Sequence, residues 1–144
     1  MYVDYDNELS DSQAVTATAI STNVIDLGTG NTTRDIGNGM PVYLVIQTDT
    51  AATAAGAATV TFSLESDSTA DLATSATVHW TSAAIGKASL VAGYEVAAVA
   101  LPSGDYERYL GLRYTVATGP LTAGAFSAFL TTDVQKWKAY ADAL

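Results

Sequence analysis

Apolar and polar residues alternate with a period of two in several short stretches of the chain, a pattern typical of β-strands. The most regular stretch covers residues 93–116, GYEVAAVALPSGDYERYLGLRYTV. It predicts two strands paired as a hairpin, because Pro102 fixes one backbone angle of a turn and Gly104 is free to adopt a left-handed one. The predicted apolar face of this hairpin comprises Tyr94, Val96, Ala98, Ala100, Leu110, Leu112, Tyr114 and Val116.

The same alternation predicts further strands over residues 41–49, 59–65, 76–81 and 125–132, and two short β segments within 14–27. About eight short strands separated by turn signals indicate an all-β protein, and we predict a jelly-roll β-sandwich of antiparallel strands. The expected core comprises Val42, Leu44, Ile46, Val60, Phe62, Leu64, Leu110, Leu112, Phe126 and Leu130.

The two ends of the chain depart from this pattern. Residues 1–13 are acidic and show no clear period, which indicates a flexible N-terminal arm or a short edge segment. Residues 133–144 change to helical spacing, with Trp137 and Tyr140 on one face, and predict a short C-terminal helical tail. The jelly-roll domain is therefore expected to span residues 14–132, a single domain by size.

The charge balance limits the classes of partner. The chain has a net charge of −9, with only six lysines and arginines. Direct binding to nucleic acid is disfavoured, because it requires clustered basic side chains. Charged residues make up only 15% of the sequence, which leaves a surface of small residues suited to burial against another chain.

The sequence gives no sign of a membrane protein. Its first ten residues, MYVDYDNELS, lack the basic region and apolar run of a signal peptide. No apolar run reaches the length of about 18 residues that a membrane-spanning helix needs. We therefore expect a soluble protein that makes no membrane contact.

Candidate catalytic and metal-binding residues are few. There is no cysteine, and the single histidine, His79, lies in a predicted strand, where a packing role is far commoner than catalysis. Asp4, Asp6 and Glu8 have the spacing of calcium ligands but lack the glycine and distant glutamate of an EF-hand loop, so an acidic arm is the favoured interpretation. We expect no enzyme activity, no catalytic residue, no metal and no cofactor.

Four segments of the chain resemble, in order, the capsid cement proteins of short-tailed bacteriophages. They read AVTATAISTNVIDLG, RDIGNGMPVYLVIQTDTA, LPSGDYERYLGLRYTV and GPLTAGAFSAFLTTDVQ, and together span roughly residues 14–135. The resemblance implies a jelly roll without catalysis that binds the outside of an icosahedral shell. Its partners would be the major capsid protein and further copies of itself, as dimers or trimers. The protein would be made in the bacterial cytoplasm and reside on the virion surface, stabilising the particle against internal DNA pressure.

Contacts with such partners are expected at the loops and termini, which are the free ends of a sandwich. The candidate partner-binding residues are Tyr2, Tyr5, Arg34, Trp137 and Tyr140. Aromatic anchors of this kind dominate many interfaces. The Trp137 and Tyr140 stripe fits equally well a helix that packs against the protein's own sandwich.

Another class of function remains open, a carbohydrate- or receptor-binding β-sandwich. Such a module would need exposed aromatic rings as a platform for a sugar, and the sequence offers Trp80, Tyr94, Tyr106 and Tyr109. A glycosidase is the weakest interpretation. It would require a pair of carboxylates in a cleft, and nothing marks Glu95 and Glu107 as such a pair.

Overall fold

Two antiparallel sheets form a β-sandwich in the computed structural model, which describes residues 3–30, 34, 36 and 39–134. The strands are β1 (Glu8–Ala14), β2 (Ala19–Ile20), β3 (Ile25–Asp26), β4 (Tyr43–Thr53), β5 (Thr59–Asp67), β6 (Thr77–Thr81), β7 (Ile85–Gly86), β8 (Glu95–Ala100), β9 (Tyr109–Ala117) and β10 (Ala123–Thr131). A 3₁₀ turn, Tyr5–Asn7, precedes β1. Within the described ranges no helix is long and apolar enough to cross a membrane.

The order of the strands confirms the predicted all-β sandwich. The first sheet has the order β1–β10–β4–β8, and the second has β2–β9–β5–β6, with β3 added to β9 and β7 to β5. Because β2 and β3 both pair with β9, they act as one interrupted strand. The principal strands then fill eight positions, and the chain passes from one sheet to the other at nearly every connection, as in a jelly roll.

The predicted hairpin over residues 93–116 is wrong in its pairing. β8 pairs with β4 in the first sheet, whereas β9 pairs with β5 in the second. Alternation indicates which face of a strand is buried, and two strands can cover one core from opposite sides without being neighbours. The buried face of β8 also differs from the predicted one, because Ala97 is buried while Tyr94 is 38% exposed.

The predicted core is confirmed. Nine of its ten residues are at most 3% exposed, and Val42 is a partly buried residue packed against them. Three aromatic rings lie at its centre. Phe62 makes edge-to-face contacts with Tyr114 at 5.7 Å and Phe126 at 5.1 Å between ring centroids. Such geometry stabilises a pair beyond the burial of its area, and the contact between Phe62 and Phe126 joins the two sheets.

The N-terminal segment forms an edge strand of the first sheet. Residues 8–14 pair with β10, so the sheet begins inside the segment 1–13 that the sequence left open as an arm or an edge segment. The pairing contains two register shifts, and Ser12 adopts a positive φ of 44° while its N–H donates to the hydroxyl of Ser127. Each shift moves the following residues to the other face, which explains why no period was visible here.

The loop after β5 covers the outer face of the second sheet. Leu72, which is 1% exposed, lies directly over Gly111 of β9. A Cβ atom at residue 111 would approach Cδ1 of Leu72 to 2.8 Å, so a larger residue would collide with this loop. Arg113 fixes the loop from the side, because it donates to the carbonyl of Leu72 at 2.6 Å and to the carboxylate of Glu65 at 2.7 Å.

Asp67, the last residue of β5, orders the same loop. Its carboxylate accepts hydrogen bonds from the backbone N–H groups of Thr74 at 3.0 Å, Ser75 at 3.2 Å and Thr69 at 3.3 Å. Burial raises the pKa of Asp67, but these N–H groups and the hydroxyl of Ser68 outweigh that effect and hold the pKa below its usual value. The loop is therefore a rigid part of the sandwich surface.

Candidate functional site

An open pocket of about 420 Å³ lies where the 3₁₀ turn meets β3 and the segment that follows it. This pocket brings together Tyr5 and Arg34, two of the residues predicted to bind a partner. They are distant in sequence, so only the fold of the jelly roll makes them neighbours. Its lining comprises Tyr5, Asp6, Glu8, Asn23, Val24, Ile25, Asp26 and Arg34.

The 3₁₀ turn forms one wall of the pocket. Asp4 caps it, accepting the N–H of Asp6 at 3.2 Å and the side-chain amide of Asn7 at 3.1 Å. This capping bond satisfies a backbone donor that would otherwise have no partner. The turn leaves Tyr5 78% exposed at the rim.

Asp4 is one of the three residues, with Asp6 and Glu8, whose spacing resembles that of calcium ligands, and here it caps a turn. Its two carboxylate oxygens are engaged with the turn that they cap. In the part of the chain that the structure describes, no three histidine, aspartate or glutamate side chains converge to hold a metal ion.

Arg34 forms part of the opposite wall. Its backbone N–H donates to the carbonyl of Leu27 at 2.7 Å, and its guanidinium donates to the carbonyl of Asp26 at 2.5 Å. These two bonds hold the residue against the end of β3. The positive charge of Arg34 thus stands at a defined position on the pocket wall, although the residue is exposed.

Asp26, the last residue of β3, connects this wall to Arg108, which directly precedes β9. Arg108 binds its carboxylate with two hydrogen bonds, Nε to Oδ1 at 3.0 Å and Nη2 to Oδ2 at 2.8 Å. The guanidinium of Arg108 also lies over the ring of Tyr109, 4.8 Å from its centroid. The hydrogen bonds from Arg108 and from the N–H of Gly28 lower the pKa of Asp26 to about 2. Asp26 therefore stays ionised, and much of its charge is matched by Arg108.

The groups that line the pocket are those of non-covalent recognition. An exposed phenol ring, the carboxylates of Asp6 and Glu8, and the guanidinium of Arg34 surround it. A ring beside carboxylates suits a basic or polar side chain, and a guanidinium suits an acidic one. The pocket therefore presents mixed charge around an aromatic rim, as expected of a contact surface.

A second polar cluster surrounds the lone histidine, and no spacing in the sequence predicts it. His79 stacks on Tyr106 with ring centroids 4.0 Å apart, and its Nε2 lies 2.7 Å from the hydroxyl of Ser66. That hydroxyl also accepts the backbone N–H of Glu107 at 3.0 Å, while the carboxylate of Glu107 accepts a hydrogen bond from Thr77. Ser66 is fully buried, so this cluster fastens the β8–β9 connection to β5 and β6.

Three of the predicted partner-binding residues, Tyr2, Trp137 and Tyr140, lie outside the described residues, as does the predicted helical tail beyond Val134.

The aromatic residues considered for a sugar platform are spread over different elements. Trp80 and Tyr106 are partly buried against the core. Tyr109 lies beneath the guanidinium of Arg108, and Tyr94 comes directly before β8, which belongs to the other sheet. These four rings do not share one face.

Comparison with known proteins identifies a family. No curated protein matches the chain. The family model Bbp16 matches residues 9–130, which include every strand from β2 to β9 and most of β1 and β10. The match thus extends over nearly the whole sandwich and most of the sequence. This chain belongs to the Bbp16 family.

Proposed function

We propose that this protein is a capsid cement protein, which binds the outer surface of a bacteriophage shell and holds neighbouring major capsid protein subunits together. The observation that carries the proposal is the ordered resemblance of four segments to cement proteins. Those segments now correspond to strands and connections of one jelly roll. The recognition groups around the pocket, which belong to the N-terminal turn and to the connection after β3, add support.

The mechanism would be mechanical. A shell under internal pressure opens at the seams between its subunits, and a rigid sandwich bound across a seam adds contact area that must be lost first. A standard protein interface buries about 1,600 Å². Because the protein binds the assembled state and not the separated subunits, each bound copy shifts the equilibrium towards assembly. The core that joins the two sheets supplies the rigidity that this mechanism needs.

The pocket is the surface that we propose for contact with the shell. Tyr5 is a large ring held at its rim by a capped turn, and Arg34 is held by two hydrogen bonds. Positioned side chains lose little conformational entropy when they bind, which favours their use as anchors. Truncating an anchor of this kind is expected to weaken binding by about 2 kcal/mol or more.

The experiment compares variants on shells that lack the protein. Purified wild type, Tyr5→Ala and Arg34→Gln are mixed with such shells, and occupancy and resistance to heat are measured. Tyr94→Ala is the matched control, because Tyr94 is also an exposed tyrosine but lies away from the pocket. We expect the two pocket variants to lose occupancy and the control to retain it. Retention of the wild type on a glycan array, with no binding to shells, would replace this proposal with the carbohydrate-binding alternative.

A further inference from the structure

The outer face of the first sheet buries two large apolar side chains that do not belong to the core between the sheets. In β4, Leu44 and Ile46 point into that core, so Val45 between them points outwards. Phe129 of β10 points outwards for the same reason and lies directly opposite Val45. Yet Val45 is only 1% exposed and Phe129 only 4%.

Burial this complete requires a segment that lies over the sheet. The cross-strand neighbours of the pair are Ala98, opposite Val45, and Glu8, opposite Phe129. Such neighbours cover the flanks of a side chain and leave its tip open. Every strand in the described ranges belongs to one of the two sheets, so none of these strands crosses the outer face. The 3₁₀ turn lies beside β10 but buries none of its own residues, as a packed cover would.

The C-terminal segment, residues 135–144, has the starting point and the length to cover this pair. β10 ends at Thr131, shortly after Phe129, and the chain continues from there into the C-terminal segment. With the helical spacing that its sequence shows, a segment of these ten residues is about 15 Å long. The axes of β10, β4 and β8 together span about 10 Å. The C-terminal segment can therefore reach from β10 across Val45.

The residues of the C-terminal segment match the face in polarity and charge. Its apolar stripe comprises Trp137, Tyr140, Ala141 and Leu144. Lysines at positions 136 and 138 flank the tryptophan. The outer face carries carboxylates, because Glu8 lies opposite Phe129 and Asp49 accepts the hydroxyl of Ser127 at 2.5 Å. Opposite charges therefore meet when the C-terminal segment lies across the sheet.

We propose that the C-terminal segment packs as a helix across the outer face of the first sheet of its own chain, with Trp137 over Val45 and Phe129. The sequence pattern alone fits equally well an anchor for a partner, and the burial of this outward pair favours packing on the sandwich. Trp137 and Tyr140 then stabilise the protein itself and are not free to bind a partner. The inference does not depend on the proposed function.

The test reads the surroundings of Trp137 in the full-length protein. Trp80→Phe leaves Trp137 as the single tryptophan and keeps an aromatic ring at residue 80, which packs against the core. Emission wavelength and acrylamide quenching then report the exposure of the Trp137 indole. Nuclear Overhauser effects from the indole protons to the methyl groups of Val45 report its position. A dilution series separates docking within one chain from docking on another copy.

Two substitutions in this background remove parts of the docking surface. Phe129→Ala and Val45→Ala each shorten one of the two side chains beneath the proposed helix. Val78→Ala is the matched control, because Val78 is an exposed valine in β6 of the other sheet. Circular dichroism and the melting temperature establish which variants fold, and either of the two surface variants is sufficient for the comparison.

We expect a blue-shifted emission of Trp137, contacts with the methyl groups of Val45, and quenching that does not change on dilution. Phe129→Ala should lower the equilibrium constant for docking by roughly tenfold or more, because it truncates an aromatic contact, while Val78→Ala leaves it unchanged. Quenching at increasing urea concentrations below the unfolding transition measures this constant.

Two results would overturn the inference. In the first, Trp137 is quenched as readily in the folded protein as in the unfolded one, or is unaffected by both variants of the docking surface. In the second, the protection of Trp137 disappears on dilution, which would mean that the C-terminal segment docks on a second copy of the chain.

Discussion

The hydroxyl of Tyr114 in the second sheet donates a hydrogen bond to the hydroxyl of Ser10 in the first, with 2.8 Å between the two oxygens. Ser10 in turn donates to Oε1 of Gln13 at 2.7 Å, and that oxygen also accepts the N–H of Thr22. Both Tyr114 and Ser10 are at most 1% exposed. Burial raises the pKa of Tyr114, so its hydroxyl keeps the proton that it donates. This bond fastens the edge strand β1 across the interior of the sandwich.

Replacing Tyr114 with phenylalanine tests this bond. The ring contacts with the core would remain, but Ser10 would lose its buried donor, so Tyr114→Phe should lower the free energy of unfolding by about 1–2 kcal/mol. Urea unfolding provides the measurement. Tyr94→Phe, at an exposed ring, should change stability by less than about 0.5 kcal/mol. Equal effects from both variants would mean that the bond from Tyr114 to Ser10 contributes nothing specific.

The contact between Gly111 and Leu72 predicts a coupled pair of variants. Gly111→Ala places a Cβ atom 2.8 Å from Cδ1 of Leu72, and overpacking of this kind typically costs about 1–3 kcal/mol. Leu72→Ala shortens the side chain that this Cβ atom meets. Gly111→Ala should therefore lower the free energy of unfolding less in the Leu72→Ala background than in the wild type. A double-mutant cycle of unfolding free energies measures this coupling. Strictly additive losses would show that Leu72 does not press on this position.

His79 gives the fold a dependence on mildly acidic pH. Burial lowers the pKa of His79 below its usual 6.5, and the charge of Glu107 opposes this only in part. The unfolded chain therefore binds more protons than the folded one, so stability should be full above about pH 6.5 and fall as the pH decreases through and below that value. Unfolding of the wild type and of His79→Gln as a function of pH provides the measurement. Wild-type stability that is flat across this range, or that rises on acidification, would contradict the prediction.

Asp26 and Arg108 give a second, more acidic titration. Because the pKa of Asp26 is lowered from 3.8 to about 2, this carboxylate contributes stability that is present above pH 3.8 and lost as the pH falls towards 2. In Arg108→Gln the pKa of Asp26, followed by carboxyl NMR, should return most of the way to 3.8. Arg34→Gln should produce a smaller rise, since Arg34 donates to the backbone carbonyl of Asp26 and acts on its carboxylate only through its charge, a smaller effect than that of Arg108. An unchanged pKa in Arg108→Gln would show that the ion pair does not form in solution.

Much of the sandwich follows from local pattern. Strands such as β5 alternate strictly, so Val60, Phe62 and Leu64 could be assigned to the core from sequence alone, and all three are fully buried. Pairing between strands is not encoded in that way. The sequence predicted that β8 and β9 form a hairpin, but a face that must be buried can be covered from either sheet, and the chain crosses between sheets here.

The contacts of the pocket and of the His79 cluster likewise cannot be predicted from local sequence pattern. Tyr5 and Arg34 are predicted contact residues because loops and termini are accessible, and accessibility does not indicate that both line one pocket. The ion pair of Arg113 with Glu65 depends on strand register, and the burial of Ser66 beneath His79 depends on the position of the β8–β9 connection. Neither property is visible in residue spacing, because each arises only when distant strands are brought into register.

Preferential binding to assembled shells is the property that most directly distinguishes a cement protein. The measurement is co-sedimentation of the purified protein with preassembled shells that lack it, alongside size-exclusion chromatography with unassembled major capsid protein. We expect saturable occupancy on shells, higher resistance of the loaded shells to heat, and no complex with free subunits. Equal binding to free subunits, or occupied shells that are no more resistant than empty ones, would contradict the role as a cement protein.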